Sequence, residues 1–305
     1  TKGWIPLEDD VTALEPVAPP TQKAIFGYGN TGSNVSITNL VNSSGVVATD
    51  TTGVGTAREK LGAAGYGGDK AIFGYGSTGS DLSMTNLVSN SGVVATDVTG
   101  VGTARRDIRA TTYGLDKAIF GYGVTSGVVS ITNLVNSSGV VATDVTGVGT
   151  AREQLGAAGY GGDKAIFGYG TNGGNVSMTN LVSSSGVVSA DVSGVGTGRY
   201  ALAAASYGSD KALFGYGYAS SYVSITNLVS NTGVVSSDVS GVGTARFRLA
   251  AASYGGDKAL FGYGNTGSQV SITNLVSSSG VVASNVTGVG TARSNLAAAG
   301  FSTSA

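Results

Sequence analysis

Four aromatic residues fall at positions whose neighbours change type from copy to copy of an internal repeat: Tyr200, Tyr218, Tyr222 and Phe247. Aromatic rings exposed on a rigid scaffold stack on sugars or anchor a protein partner. These four are therefore the candidate ligand-binding residues. A second cluster, Arg105, Arg106 and Arg109 about Asp107, reads as a solvated basic face and not as a phosphate site. The catalytic inventory is otherwise thin. With no His and no Cys, the chain has no imidazole base, no Ser-His-Asp triad, no thiolate nucleophile and no His or Cys metal ligand. A glycosidase needs only two carboxylates, but the acids here are few and most recur in every copy, whereas an active site breaks symmetry. The sequence is read as a non-enzyme with no catalytic residue, no metal site and no cofactor.

What must position the aromatics is a repeat. Lys-Ala pairs begin at Lys23, Lys70, Lys117, Lys164, Lys211 and Lys258, each 47 residues after the last, without insertion or deletion. In the second copy, four short segments are separated by Gly and small polar residues: 61–66, 70–76, 82–88 and 93–100. Their length, β-branched content and turn-forming breaks predict strands A to D, and no helical period of useful length is present. Four strands per 47-residue unit, six times over, predict an all-β six-bladed β-propeller. A β-solenoid is the runner-up, but it needs atypical capping repeats, and here the end copies resemble the middle ones. The first copy lacks its own strand A, and residues 296–301 match that strand, so the C-terminal strand is expected to close the first blade.

The units TAREKLGAAGYGGDKAIFGYG and VSITNL with GVVATDV resemble kelch repeats: an Arg before strand A, small residues within A, and a glycine-marked end to strand B. The resemblance covers residues 23–301. Gly-Tyr-Gly stands where kelch has a second Gly-Gly, and the late Trp is missing. Near-identical repeats of this kind also resemble virion proteins of tailed bacteriophages, in the tail or on the capsid. That likeness implies a location on the phage particle or outside the cell, and other virion proteins as partners.

Comparing the six copies separates constant from variable positions. The A–B turns (GGD, GLD, GSD) and C–D turns (NSSG, SNSG, SSSG) barely change. The B–C loops and the residue pair after each VGTAR-type motif do change, and in an antiparallel blade both fall on one face. That face is the candidate for recognition of surface glycans or a host receptor. Arg58, Arg105, Arg152, Arg199, Arg246 and Arg293 end the VGTAR-type motif in every copy, and Asp or Asn precedes each by eight residues. Residues present in every copy are assigned to structure: the arginines to orphan carbonyls between blades, and the Asp-Lys pairs to turns of little net ionic value.

Residues 1–22 differ in kind. They hold the only Trp, all four prolines and the acidic run Glu8, Asp9 and Asp10. They are read as an extended arm before a 23–305 propeller, with Trp4, Ile5 and Leu7 as anchors on an assembly partner. The sequence opens at Thr1 rather than Met, which leaves processing of this end open. A net charge of −1 with 11% charged residues provides no basic footprint for nucleic acid. No apolar run approaches the roughly 18 residues of a membrane span, so neither nucleic acid nor membrane insertion is expected. The reading is a structural or adhesive assembly component, with a free-standing lectin as the alternative.

Overall fold

The computed structural model describes residues 21–304. The candidate anchors Trp4, Ile5 and Leu7 lie outside them. All regular structure among the described residues is β: eighteen strands in six three-stranded antiparallel sheets. The first sheet contains β1 (Lys23–Gly27) and β2 (Thr38–Val41). The second contains β3 (Gly62–Tyr66), β4 (Lys70–Ser77) and β5 (Asp81–Val88). The third contains β6 (Arg109–Tyr113), β7 (Lys117–Gly121) and β8 (Thr132–Val135). The fourth contains β9 (Gly156–Tyr160), β10 (Lys164–Gly168) and β11 (Thr179–Val182). The fifth contains β12 (Ala203–Tyr207), β13 (Lys211–Gly215) and β14 (Thr226–Val229). The sixth contains β15 (Ala250–Tyr254), β16 (Lys258–Gly262) and β17 (Thr273–Val276). The last strand, β18 (Ala297–Phe301), crosses back to pair with β1 from Lys23↔Phe301 to Gly27↔Ala297.

The expected count of four strands per unit is corrected to three. The fourth segment touches its neighbour through isolated bridges only, Val41↔Val47 and Thr38↔Thr51 in the first copy. These two bridges are out of register by one residue, so no continuous ladder joins them. Between them the Asn39 side chain intervenes: its Nδ2 donates to the Ala48 carbonyl at 3.0 Å and to Asp50 Oδ1 at 2.9 Å. A side-chain amide has taken an acceptor that a backbone ladder would use. Each sheet therefore remains open, with an irregular outer edge that gives another chain little to pair with.

The strands β3, β6, β9, β12, β15 and β18 neighbour one another in cyclic order. The arrangement is consistent with a six-bladed propeller. Two backbone rings tie the six sheets around the axis. At one end Lys60, Asp107, Gln154, Ala201, Arg248 and Asn295 each donate N–H to the preceding member's carbonyl, 2.8–3.2 Å apart, with Lys60 donating to Asn295. At the other end Gly67 donates to Asp116, Gly114 to Asp163, Gly161 to Asp210 and Gly208 to Asp257, each at 2.7 Å. This second ring is completed by Gly255 N–H to Gln22 O and Ser302 N–H to Asp69 O. Thr21 and Gln22, which the sequence assigned to the arm, thus belong to the turn layer of the disc.

The core lies between sheets. Phe26, Phe73, Phe120, Phe167, Phe214 and Phe261 are fully buried, and each meets a Tyr of the neighbouring sheet at ring-centroid distances of 5.0–5.2 Å. Glycine is required where those rings approach backbone: a Cβ on Gly121 would lie 2.8 Å from Phe167 Cζ.

Candidate binding face

The two sets of variable positions meet. The first residue of each variable pair forms a β-bridge with the first residue of a B–C loop: Glu59↔Ser77, Arg106↔Val124, Glu153↔Thr171, Tyr200↔Tyr218, Phe247↔Asn265 and Asn30↔Ser294. The second residue of each pair is a member of the Lys60–Asn295 backbone ring, in the left-handed conformation with φ of 51–58°. The variable positions therefore lie together at one end of the strands, and the near-constant A–B turns lie at the other.

Tyr200, Tyr218, Tyr222 and Phe247 come together as one half-buried cluster across the fifth and sixth sheets. Tyr218 lies at its centre, with ring centroids 5.4 Å from Tyr200, 5.6 Å from Tyr222 and 6.0 Å from Phe247. Tyr222 and Phe247 stack at 5.0 Å and 16°. The Arg248 guanidinium lies 4.8 Å from the Phe247 ring centroid. Sequence reasoning did not single out Arg248, although it is the second residue of a variable pair and so was visible in the comparison of copies. A platform of packed rings edged by one cation can stack on a sugar or on an aromatic side chain and bind an adjoining polar group.

The six recurrent arginines are fully buried, each at the centre of the same node. Arg58 Nε donates to the Tyr75 carbonyl at 2.8 Å, Nη2 to Asn86 Oδ1 at 2.7 Å and Nη1 to the Thr56 carbonyl at 3.1 Å. Its guanidinium lies 4.4 Å from the ring centroid of Tyr28 in the preceding sheet. Asn86 passes the network to Asp97, which accepts from the Thr56 N–H and hydroxyl. Burial opposes ionisation of Asp97, but the bonds from Thr56 and Asn86 outweigh it and hold the carboxyl below its ordinary range. Burial pushes the Tyr28 phenol up to about 12, against the pull of the Arg58 charge. In the last copy Asn285 replaces the aspartate, accepting from Thr244 N–H and donating to Thr244 Oγ1.

The expectation of a solvated basic face at Arg105, Arg106 and Arg109 is corrected. Arg105 is one of the buried node arginines. Arg106 pairs with Asp81 at 2.8 Å. Asp107 is only 5% exposed, and Arg109 turns into the axial channel. The strand position of Arg109 is also what hid this: it begins an innermost strand, where the other copies have Gly or Ala.

At the A–B turn end, the axis opens into a funnel of about 270 Å³. Thr112, Ser206 and Ser253 are among its lining residues, and so is Thr21. No group of three or more metal-ligating side chains occurs among the described residues. Neither a protein-family model nor a curated protein sequence matches the chain.

Proposed function

We propose that this chain is a kelch-like six-bladed propeller acting as a non-enzymatic structural and adhesive component of a larger assembly, in the manner of a tail or capsid-associated protein of a phage particle. In this reading the variable face meets a surface glycan or host receptor through Tyr200, Tyr218, Tyr222 and Phe247. The N-terminal segment, with Trp4, Ile5 and Leu7, attaches the disc to its assembly. One observation carries the proposal: Thr21, where the chain enters the disc, lies in the funnel at the A–B turn end, and the aromatic cluster lies at the opposite end of the strands. Attachment at one end leaves the other free to bind.

The stacked Tyr222–Phe247 pair favours one alternative, a free-standing lectin whose binding needs no attachment. A glycan and cell-surface binding screen on the full chain, on Tyr218→Ala/Tyr222→Ala and on a chain lacking residues 1–20 separates the two. The assembly component binds through the aromatics, and incorporation into its particle is lost with residues 1–20. No incorporation of the full chain into any particle, with glycan binding lost in the double variant, would leave the lectin. Binding indifferent to the double variant would remove the aromatic cluster from either account.

A further inference from the structure

In three copies the first side chain of the B–C loop fastens a glycine N–H two residues on. Gly32 and Gly267 N–H donate to Asn30 and Asn265 Oδ1 at 2.8 Å, and Gly79 N–H donates to Ser77 Oγ at 3.1 Å. Each is a turn closed by a side-chain oxygen. In the fourth copy the first residue is Thr171, and its hydroxyl donates instead to the Gly174 carbonyl at 3.2 Å. Among the described residues the Gly173 N–H has no acceptor.

The residue before that unengaged N–H also departs from the other copies. Asn172 stands where four copies have Thr31, Thr78, Thr125 and Thr266 and one has Ala219. Asn172-Gly173 is the only Asn-Gly pair in the chain. Asn172, Gly173 and Gly174 are exposed, and a Cβ on Gly173 would meet nothing within 4 Å. An amide carbon therefore lies next to a main-chain nitrogen that no side chain shields and no hydrogen bond holds. The exposed Asn42, Asn90, Asn136 and Asn231 precede Ser or Thr, whose side chains crowd such an approach.

We infer that Asn172 is a site of spontaneous deamidation. The Gly173 nitrogen gives its proton to solvent base and attacks Asn172 Cγ. The new C–N bond closes a cyclic imide, the Cγ–Nδ2 bond breaks, and the amide nitrogen leaves as ammonia. Water then opens the imide. Opening at Cγ leaves an aspartyl residue. Opening at the main-chain carbonyl leaves an isoaspartyl residue, with the chain running through the former side chain. Either product turns a neutral side chain into a carboxylate on the variable face. Asn175 Nδ2 donates to the Ala219 carbonyl at 2.9 Å, so the altered loop is tied to the one that carries Tyr218 and Tyr222.

Peptide mapping by mass spectrometry tests the site. In the full chain, kept folded at mildly alkaline pH, Asn172 should convert well before any other asparagine, to aspartate and isoaspartate together. Asn172→Thr, which copies four other loops, should lose this conversion and the acidic species it gives in isoelectric focusing. Thr171→Asn keeps the Asn172-Gly173 pair and supplies the acceptor of the first and sixth copies, so it should slow the conversion several-fold. Asn172 left intact in the folded chain, while the same chain in urea converts, would overturn the site. An unchanged rate in Thr171→Asn would overturn the part given to the unengaged Gly173 N–H.

Discussion

Each buried node arginine takes a full charge out of water, and the node residues decide what that costs. Four segments of one unit and a Tyr of its neighbour converge on each guanidinium, so removing it orphans two carbonyls and an amide oxygen together. Arg152→Met should cost about 3 kcal/mol or more, measured by urea unfolding. The nodes also set the acid limit. The carboxyls of Asp50, Asp97, Asp144, Asp191 and Asp238 are all held below their ordinary values. Their contribution is complete above the ordinary aspartate range and is lost as pH falls through the lowered values, so stability should fall below about pH 4. Asn285→Asp adds a sixth such group. It should change stability by less than about 1 kcal/mol at neutral pH, because the partner sites are part-exposed, and should steepen the acid loss in urea titrations at pH 6 and pH 3. The recurrent Arg and Asp were legible as structural from their presence in every copy. The left-handed tyrosines of Gly-Tyr-Gly, φ 61–64°, were not, because their conformation is imposed by the packing around them and not by residue type.

Among the elements, the innermost three segments of each unit read correctly because Gly-marked turns bound short apolar runs. The outer segment misled. GVVATDV has the composition of a strand, yet its partner's Asn side chain captures the carbonyl that the ladder needs, and only the folded register brings the two together. Close packing of rings against glycine also has a testable contrast. Gly121→Ala drives a methyl into Phe167 and should destabilise by about 1–3 kcal/mol. Gly127→Ala meets nothing within 4 Å and should stay within about 0.5 kcal/mol. Denaturant midpoints of the two variants check the pair.

Across the whole molecule, the 47-residue period made the ring count and the grouping of variable positions legible, because both depend on periodicity alone. Arg109 was singled out but read as part of a solvated face, because its place at the start of an innermost strand depends on the fold and not on the local run of charges. The ring depends on β18. Deleting residues 296–305 removes one of the two strands paired with β1 and the Ser302 bond that completes one backbone ring, and should abolish the single cooperative unfolding transition followed by circular dichroism. The same seam has a mechanical consequence. The antiparallel pairing of β1 with β18 brings the start of β1 and the end of β18 to one end of the sheet, so pulling these two points apart peels hydrogen bonds singly, beginning at Lys23 and Phe301. A load that enters at Thr21 and leaves through the aromatic end runs along β1 instead. It shears the bonds to β18 and β2 all at once, so the disc is weak as a zip and strong as a tether.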